Sequence, residues 1–183
     1  MNTGIRHITT REMVLCAVMA AVTAVCAQIS IPMPSGVPVT LQTFAVTLTG
    51  YLLGMRYGLI SVAVYILLGA AGVPVFTGFR GGIGTIAGPT GGFIIGFLLM
   101  VMICGIKPKI SNGALSAAAA IASGAAGIAA CHAAGVIWFS VTANISPAAA
   151  FLKVSLPFIL KDILSVILAY FISLAVKKAV KLK

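Results

Sequence analysis

PFILKDILSVILAYFISLAV, residues 157–176, is an apolar run long enough to cross a bilayer, yet it holds Lys161 and Asp162 side by side. On insertion scales an Asp or Lys at the centre of a span costs roughly 2.5–3.5 kcal/mol, so a charge held at membrane depth faces a bundle interior, a cavity or a partner. Asp162 is one of two acids in the chain, the other being Glu12. Pro157 suits the first turn of a helix, which places the pair on the order of 8 Å below the helix start. Successive helical residues point about 100° apart, so the two need not pair with each other. The helix dipole favours an ionised acid near the N-terminus, which suits Asp162 as a hydrogen-bond acceptor. A second reading stays open, in which Lys161 snorkels outward and Asp162 bonds a neighbouring helix.

The rest of the chain is built like this run. Hydrophobic residues make up 61% and charged residues 8%, where a soluble domain is roughly half apolar and a quarter charged. The 183 residues read as a single all-α membrane domain with no soluble part. Pro, Gly and basic punctuation divides it into six spans, at about 13–29, 40–54, 58–72, 89–106, 114–138 and 155–176. GMRYG, residues 54–58, is so short that 40–72 must be a helical hairpin.

Nine of the twelve Lys and Arg residues fall on one side of these spans, and only Arg80 and Lys153 on the other, Lys161 being inside the last span. That bias predicts cytoplasmic N- and C-termini and three outward loops, 30–39, 73–88 and 139–153. It also accounts for the net charge of +10 as membrane flanks, so nucleic acid is not an expected partner. The first outward loop is proline-rich and the second glycine-rich, with Phe76, Phe79 and Arg80, the composition of a lid or pocket mouth.

The first span carries Ala17, Ala20, Ala21 and Ala24 at helical spacing, a stripe that lets another helix approach closely. It serves packing within a bundle or docking to a second membrane subunit, and the pattern leaves both open. The Ala/Gly-rich fifth span reads as tightly surrounded. Cys16, Cys26, Cys104 and Cys131 have no ligand spacing and read as packing. His132 stands alone in sequence, with no metal partners near it.

GIGTIA, residues 82–87, matches a dinucleotide fingerprint only superficially, because no strand precedes it and no acid follows about 20 residues on. No GxxxxGK[ST] occurs, so energy for active transport must come from a partner or a gradient. With only two acids and no nucleophile seen beside a base, the chain reads as a binder or transporter and not an enzyme. Arg80 could clamp a carboxylate or be an ordinary solvated loop residue. Thr40, Gln42, Thr43 and Thr47 could line a site or bond between helices.

AQISIPMPSGVPVTLQTFAV, then LLGAAGVPVFTGFRGGIGTIAGPTGGFIIGF, then PFILKD, in this order and spacing, resemble the BioY family. That family is the biotin-binding substrate (S) component of energy-coupling factor (ECF) transporters. The resemblance implies a prokaryotic multi-pass plasma-membrane protein with six helices, lipid around it and a biotin pocket near the outer face. It further implies an alanine-striped first helix docking to a transmembrane coupling subunit that works with two cytoplasmic ATPases, and no cofactor beyond the ligand biotin.

By this resemblance Asp162 accepts the ureido N–H groups, Phe76 and Phe79 cover the apolar parts, and Lys161 or Arg80 meets the carboxylate. Thr40, Gln42, Thr90 and Gly91 complete the candidate ligand contacts, and Ala17, Ala20, Ala21 and Ala24 the candidate docking face. The family pattern at the last helix reads PFxPGDxxK, whereas here Ser165 takes the place of that lysine and Lys161 that of the glycine. An S component for another vitamin, a self-sufficient secondary transporter and a membrane scaffold remain the alternatives.

Overall fold

The computed structural model describes residues 8–106 and 112–181. Four helical stretches, Thr10–Gln28, Gln42–Ala70, Gly113–Thr142 and Pro147–Val180, are long and apolar enough to cross a membrane, and Gly91–Cys104 is a shorter apolar helix. Helix α1, Thr10–Gln28, starts at a capping box, in which Thr9 accepts from the Glu12 N–H and Glu12 returns the bond to the Thr9 N–H. A two-stranded ribbon follows, β1 Ser30–Ile31 paired antiparallel with β2 Val39–Thr40.

Helix α2, Gln42–Ala70, is the expected hairpin, but its turn is tighter than the five-residue connection suggested. Only Gly54 leaves helical geometry, at φ 75° and ψ 178°, a conformation open essentially to glycine. In an unbroken helix residues 42 and 65 would lie about 35 Å apart, whereas Gln42 Nε2 donates to Tyr65 Oη at 2.7 Å. The reversal is pinned to the end of the helix Gly91–Cys104 by Met55 N–H donating to Gly105 C=O at 3.1 Å. A side chain at Gly105 would run into the Met55 backbone.

A five-residue helix α3, Ile83–Ala87, leads to α4, Gly91–Cys104, and then α5, Gly113–Thr142. Beyond α5 lie α6, Pro147–Val154, a 3-10 turn at Leu156–Phe158, and α7, Ile159–Val180. Two expectations change here. The outward loop expected at 139–153 is largely helix, because α5 runs on to Thr142 and Ser146 caps α6 over Pro147. Pro157 sits in the 3-10 turn, so α7 starts at Ile159 and Asp162 falls in its first turn, about 5 Å from the start.

The core is centred where both arms of α2 meet α4, with Val46, Val62, Tyr65, Met100 and Val101 all buried. Around it α7 turns its small and polar side chains inward, Asp162, Ser165, Ala169 and Ser173, and leaves Leu160, Leu164, Leu168 and Phe171 on the outside. That inversion of the soluble pattern suits a helix whose outer solvent is lipid. The expectation that α5 is surrounded does not hold. One face, Gly124, Gly127, Cys131 and Gly135, packs against neighbouring helices and the opposite alanines are exposed. The α1 stripe is divided as well: Ala20 is 5% exposed and part of the core, Ala24 is half-buried, and Ala17 and Ala21 face outward. All four cysteines are free and buried.

Candidate binding site

Asp162 is 1% exposed, and the start of α7 brings it against two other helices, α2 and α5. Thr43, in the first turn of α2, donates its hydroxyl to Asp162 Oδ1 at 2.6 Å. His132 of α5 lies with Nε2 at 2.8 Å from Oδ2. Lys161 forms an ion pair with Oδ1 and also donates to Thr43 Oγ1 at 2.8 Å and to the Thr40 C=O at 3.0 Å. The neighbouring pair therefore does bond to itself. The flexible Lys161 stem brings its ammonium back over the carboxylate, and all three of its protons are used. Asp162, with four lone-pair positions, has three occupied.

A second polar cluster adjoins the first. Gln42 Oε1 accepts from the hydroxyls of Thr40 at 3.0 Å and Thr77 at 3.1 Å, while its amide reaches Tyr65. Thr40 thus joins the clusters, its carbonyl serving Lys161 and its hydroxyl serving Gln42. Tyr65 is fixed in turn by the edge of Phe76, with ring centroids 5.5 Å apart.

Both clusters open into one cavity of about 400 Å³. Its walls are aromatic and apolar, with Phe76, Phe93, Ile94, Phe97 and Phe158, and the ribbon and its connecting loop contribute Val39, Met33 and Val37. Thr90 and Arg80 line it too. Arg80 is exposed, and its backbone is bridged to Phe76 in both directions. The segment is tied down by Gln28, whose amide donates to the carbonyls of Val75 at 3.3 Å and Phe76 at 3.1 Å and whose oxygen accepts from Phe79 N–H at 2.9 Å.

Of the residues expected at the ligand, Asp162, Lys161, Arg80, Phe76, Gln42, Thr40 and Thr90 line this cavity. Phe79 and Gly91 do not. Phe79 is 73% exposed at φ 56°, because the Gln28 tether fixes its backbone with the ring outward. Gly91 is packed against the Ile86 carbonyl and the Trp138 indole, where no side chain fits. The main omission of the sequence reading is His132, read as solitary and here bonded to the acid. Its signal was the same as that of Asp162: an ionisable group inside an apolar span is costly without a partner. Gln28 and Tyr65 gave no comparable signal.

The arrangement offers an acceptor, a lysine whose bonds can be exchanged and an arginine around an aromatic chamber. Among the described residues no group of His, Cys, Asp and Glu could hold a metal ion.

The chain matches the BioY family model over residues 1–182. It is 38% identical over 169 residues to the biotin transporter BioY of Thermotoga maritima, an alignment covering 92% of this chain and 96% of that one. It is 31% identical to the biotin transporter BioY of Rhizobium etli, over 91% of this chain and 93% of the relative. Its fold matches the solved structure of the S-component for biotin from an ECF-type ABC transporter with a TM-score of 0.81 and 28% identity, covering 94% of this chain and 95% of that one.

Proposed function

Because the chain belongs to the BioY family, we propose that it binds biotin in the cavity beside Asp162 and is the substrate-capturing component of an energy-coupling factor uptake transporter in the plasma membrane. The observation that carries the reading is a buried carboxylate bonded to Lys161, Thr43 and His132 at the wall of an aromatic chamber in a member of this family. Biotin offers two ureido N–H donors, a ureido oxygen, an apolar bicycle and a carboxylate. Asp162 takes a ureido N–H at its remaining acceptor position, and Lys161 gives up its bond to the Thr40 carbonyl to donate to the ligand. Phe76, Phe93 and Phe97 cover the bicycle, and Arg80 meets the carboxylate.

In this reading six segments cross the bilayer: α1, the two arms of α2, α4, α5 and α7. Helix α4 covers only about 21 Å with its 14 residues, so the membrane around it is thinned or its ends are completed by the flanking loops. Both termini are cytoplasmic, as the Lys and Arg count requires, and the cavity opens outward. With no P-loop of its own, the chain relies on a transmembrane coupling subunit and two cytoplasmic ATPases. The coupling subunit docks on the outward part of the α1 stripe, Ala17 and Ala21 with the half-buried Ala24 at its edge, and not on Ala20, which belongs to the core.

The test is titration of biotin into the purified protein and its Asp162→Asn variant, alongside a thermal-shift panel of other vitamins. The variant is expected to bind biotin at least tenfold more weakly, roughly the loss of one charged hydrogen bond. Equal binding by the variant would remove Asp162 from the site, and stabilisation by another vitamin but not biotin would overturn the ligand.

A further inference from the structure

We propose that His132 is a positioning residue for ligand capture, holding one oxygen of Asp162 so that the acid and Lys161 remain available to the ligand. The inference rests on the reading that Asp162 receives the ligand's N–H groups.

The two carboxylate oxygens are used unequally. Oδ1 accepts from Thr43 and from Lys161, while Oδ2 has His132 alone. A carboxylate pivots about one soft torsion. Without a donor at Oδ2 it would turn to grip Lys161 with both oxygens, using up the acceptor position and the lysine proton that the ligand needs. The imidazole opposes that rotation.

His132 is itself held from the opposite side. Because Nε2 faces an oxygen that can only accept, Nε2 carries the proton, and the Ser155 hydroxyl, 2.9 Å from Nδ1, donates to that nitrogen. Ser155 closes α6, where its N–H bonds the Phe151 carbonyl at 3.0 Å. The Phe93 ring stands edge-on to the imidazole at 5.8 Å. Beyond His132 and Ser155 lies a second cavity of about 470 Å³, otherwise walled by Ile, Ala, Val and Phe side chains. Nothing else there competes for either ring nitrogen. The imidazole therefore partitions the polar chamber from an apolar one, with one nitrogen committed to Ser155 and the other to Asp162. Asp162 and Lys161 are the charged groups at this wall, both from α7, while α4, α5 and α6 present Phe93, Cys131 and Ser155.

The test compares biotin titrations of the full-length wild-type chain with His132→Phe, His132→Gln, Ser155→Ala and Asp162→Asn. His132→Phe is expected to weaken biotin about ten- to a hundredfold, the range for losing a hydrogen bond to a charged group. His132→Gln, whose amide N–H reaches the position of Nε2, is expected to recover to within about threefold of wild type. In ¹⁵N-imidazole spectra above about pH 8, clear of ordinary histidine titration, wild type should show a single tautomer protonated at Nε2, and Ser155→Ala a mixture.

Wild-type affinity in a folded His132→Phe, or a mixed tautomer in the wild type, overturns the proposal. If His132→Phe does not fold, an unchanged tautomer and affinity in Ser155→Ala overturn it instead. Loss of binding in Asp162→Asn with retention in His132→Phe sinks this inference alone. Retention in Asp162→Asn sinks the ligand reading beneath it.

Discussion

Asp162 meets the membrane interior already holding three donors, which is why a carboxylate can be 1% exposed in so apolar a chain. Its importance was legible in the sequence because an acid at that depth needs partners. The identity of those partners was not, since Thr43 and Asp162 are 119 residues apart and no local period links them. Lys161 was the ambiguous half of the pair. The geometry gives it a defined place among Thr40, Thr43 and Asp162, while Arg80 lines the same cavity from an exposed position. The double change Lys161→Ala with Arg80→Ala should abolish the preference for biotin over its amide, a loss of about tenfold or more. An intact preference in competition binding would remove both cations from carboxylate recognition.

At the scale of elements, the hairpin in α2 was legible because too few residues separated two apolar runs, but its turn was not. Gly54 looks like any of the 20 glycines in the chain until its backbone angles are known. Gly54→Ala should destabilise the protein by about 1–3 kcal/mol, the usual cost of forcing a side chain into a glycine-only conformation. Thermal unfolding of the purified variant reads this directly, and an unchanged midpoint would show that the turn relaxes freely. Helix α6 was missed for a different reason. PAAAFLKV is short and follows a turn-like NISP, so it read as loop, although Ser146 and Pro147 are the start signals of a helix. The missed helix is also the one that carries Ser155 to His132.

Across the whole molecule, composition alone exposed the membrane class, whereas the inner and outer sides of each helix emerged only from packing. The α1 stripe shows the difference. Four alanines share a spacing, yet Ala20 is core and Ala21 is surface. Ala21→Trp is expected to reduce recovery of the coupling subunit and ATPases with the tagged protein several-fold while leaving biotin binding intact. Ala20→Trp should instead lower thermal stability, by about 1–3 kcal/mol or more from overpacking. Identical behaviour of the two variants in co-purification and unfolding would refute the division. Lys161 has no proton to spare, its three being taken by Asp162, Thr43 and Thr40. A guest that recruited Lys161 would therefore swap contacts and not add one, since it would have to replace the bond to the Thr40 carbonyl. A fragment offering only part of biotin's polar edge would break that contact without replacing it, so the Thr40 carbonyl is the competitor that close analogues would have to outbid.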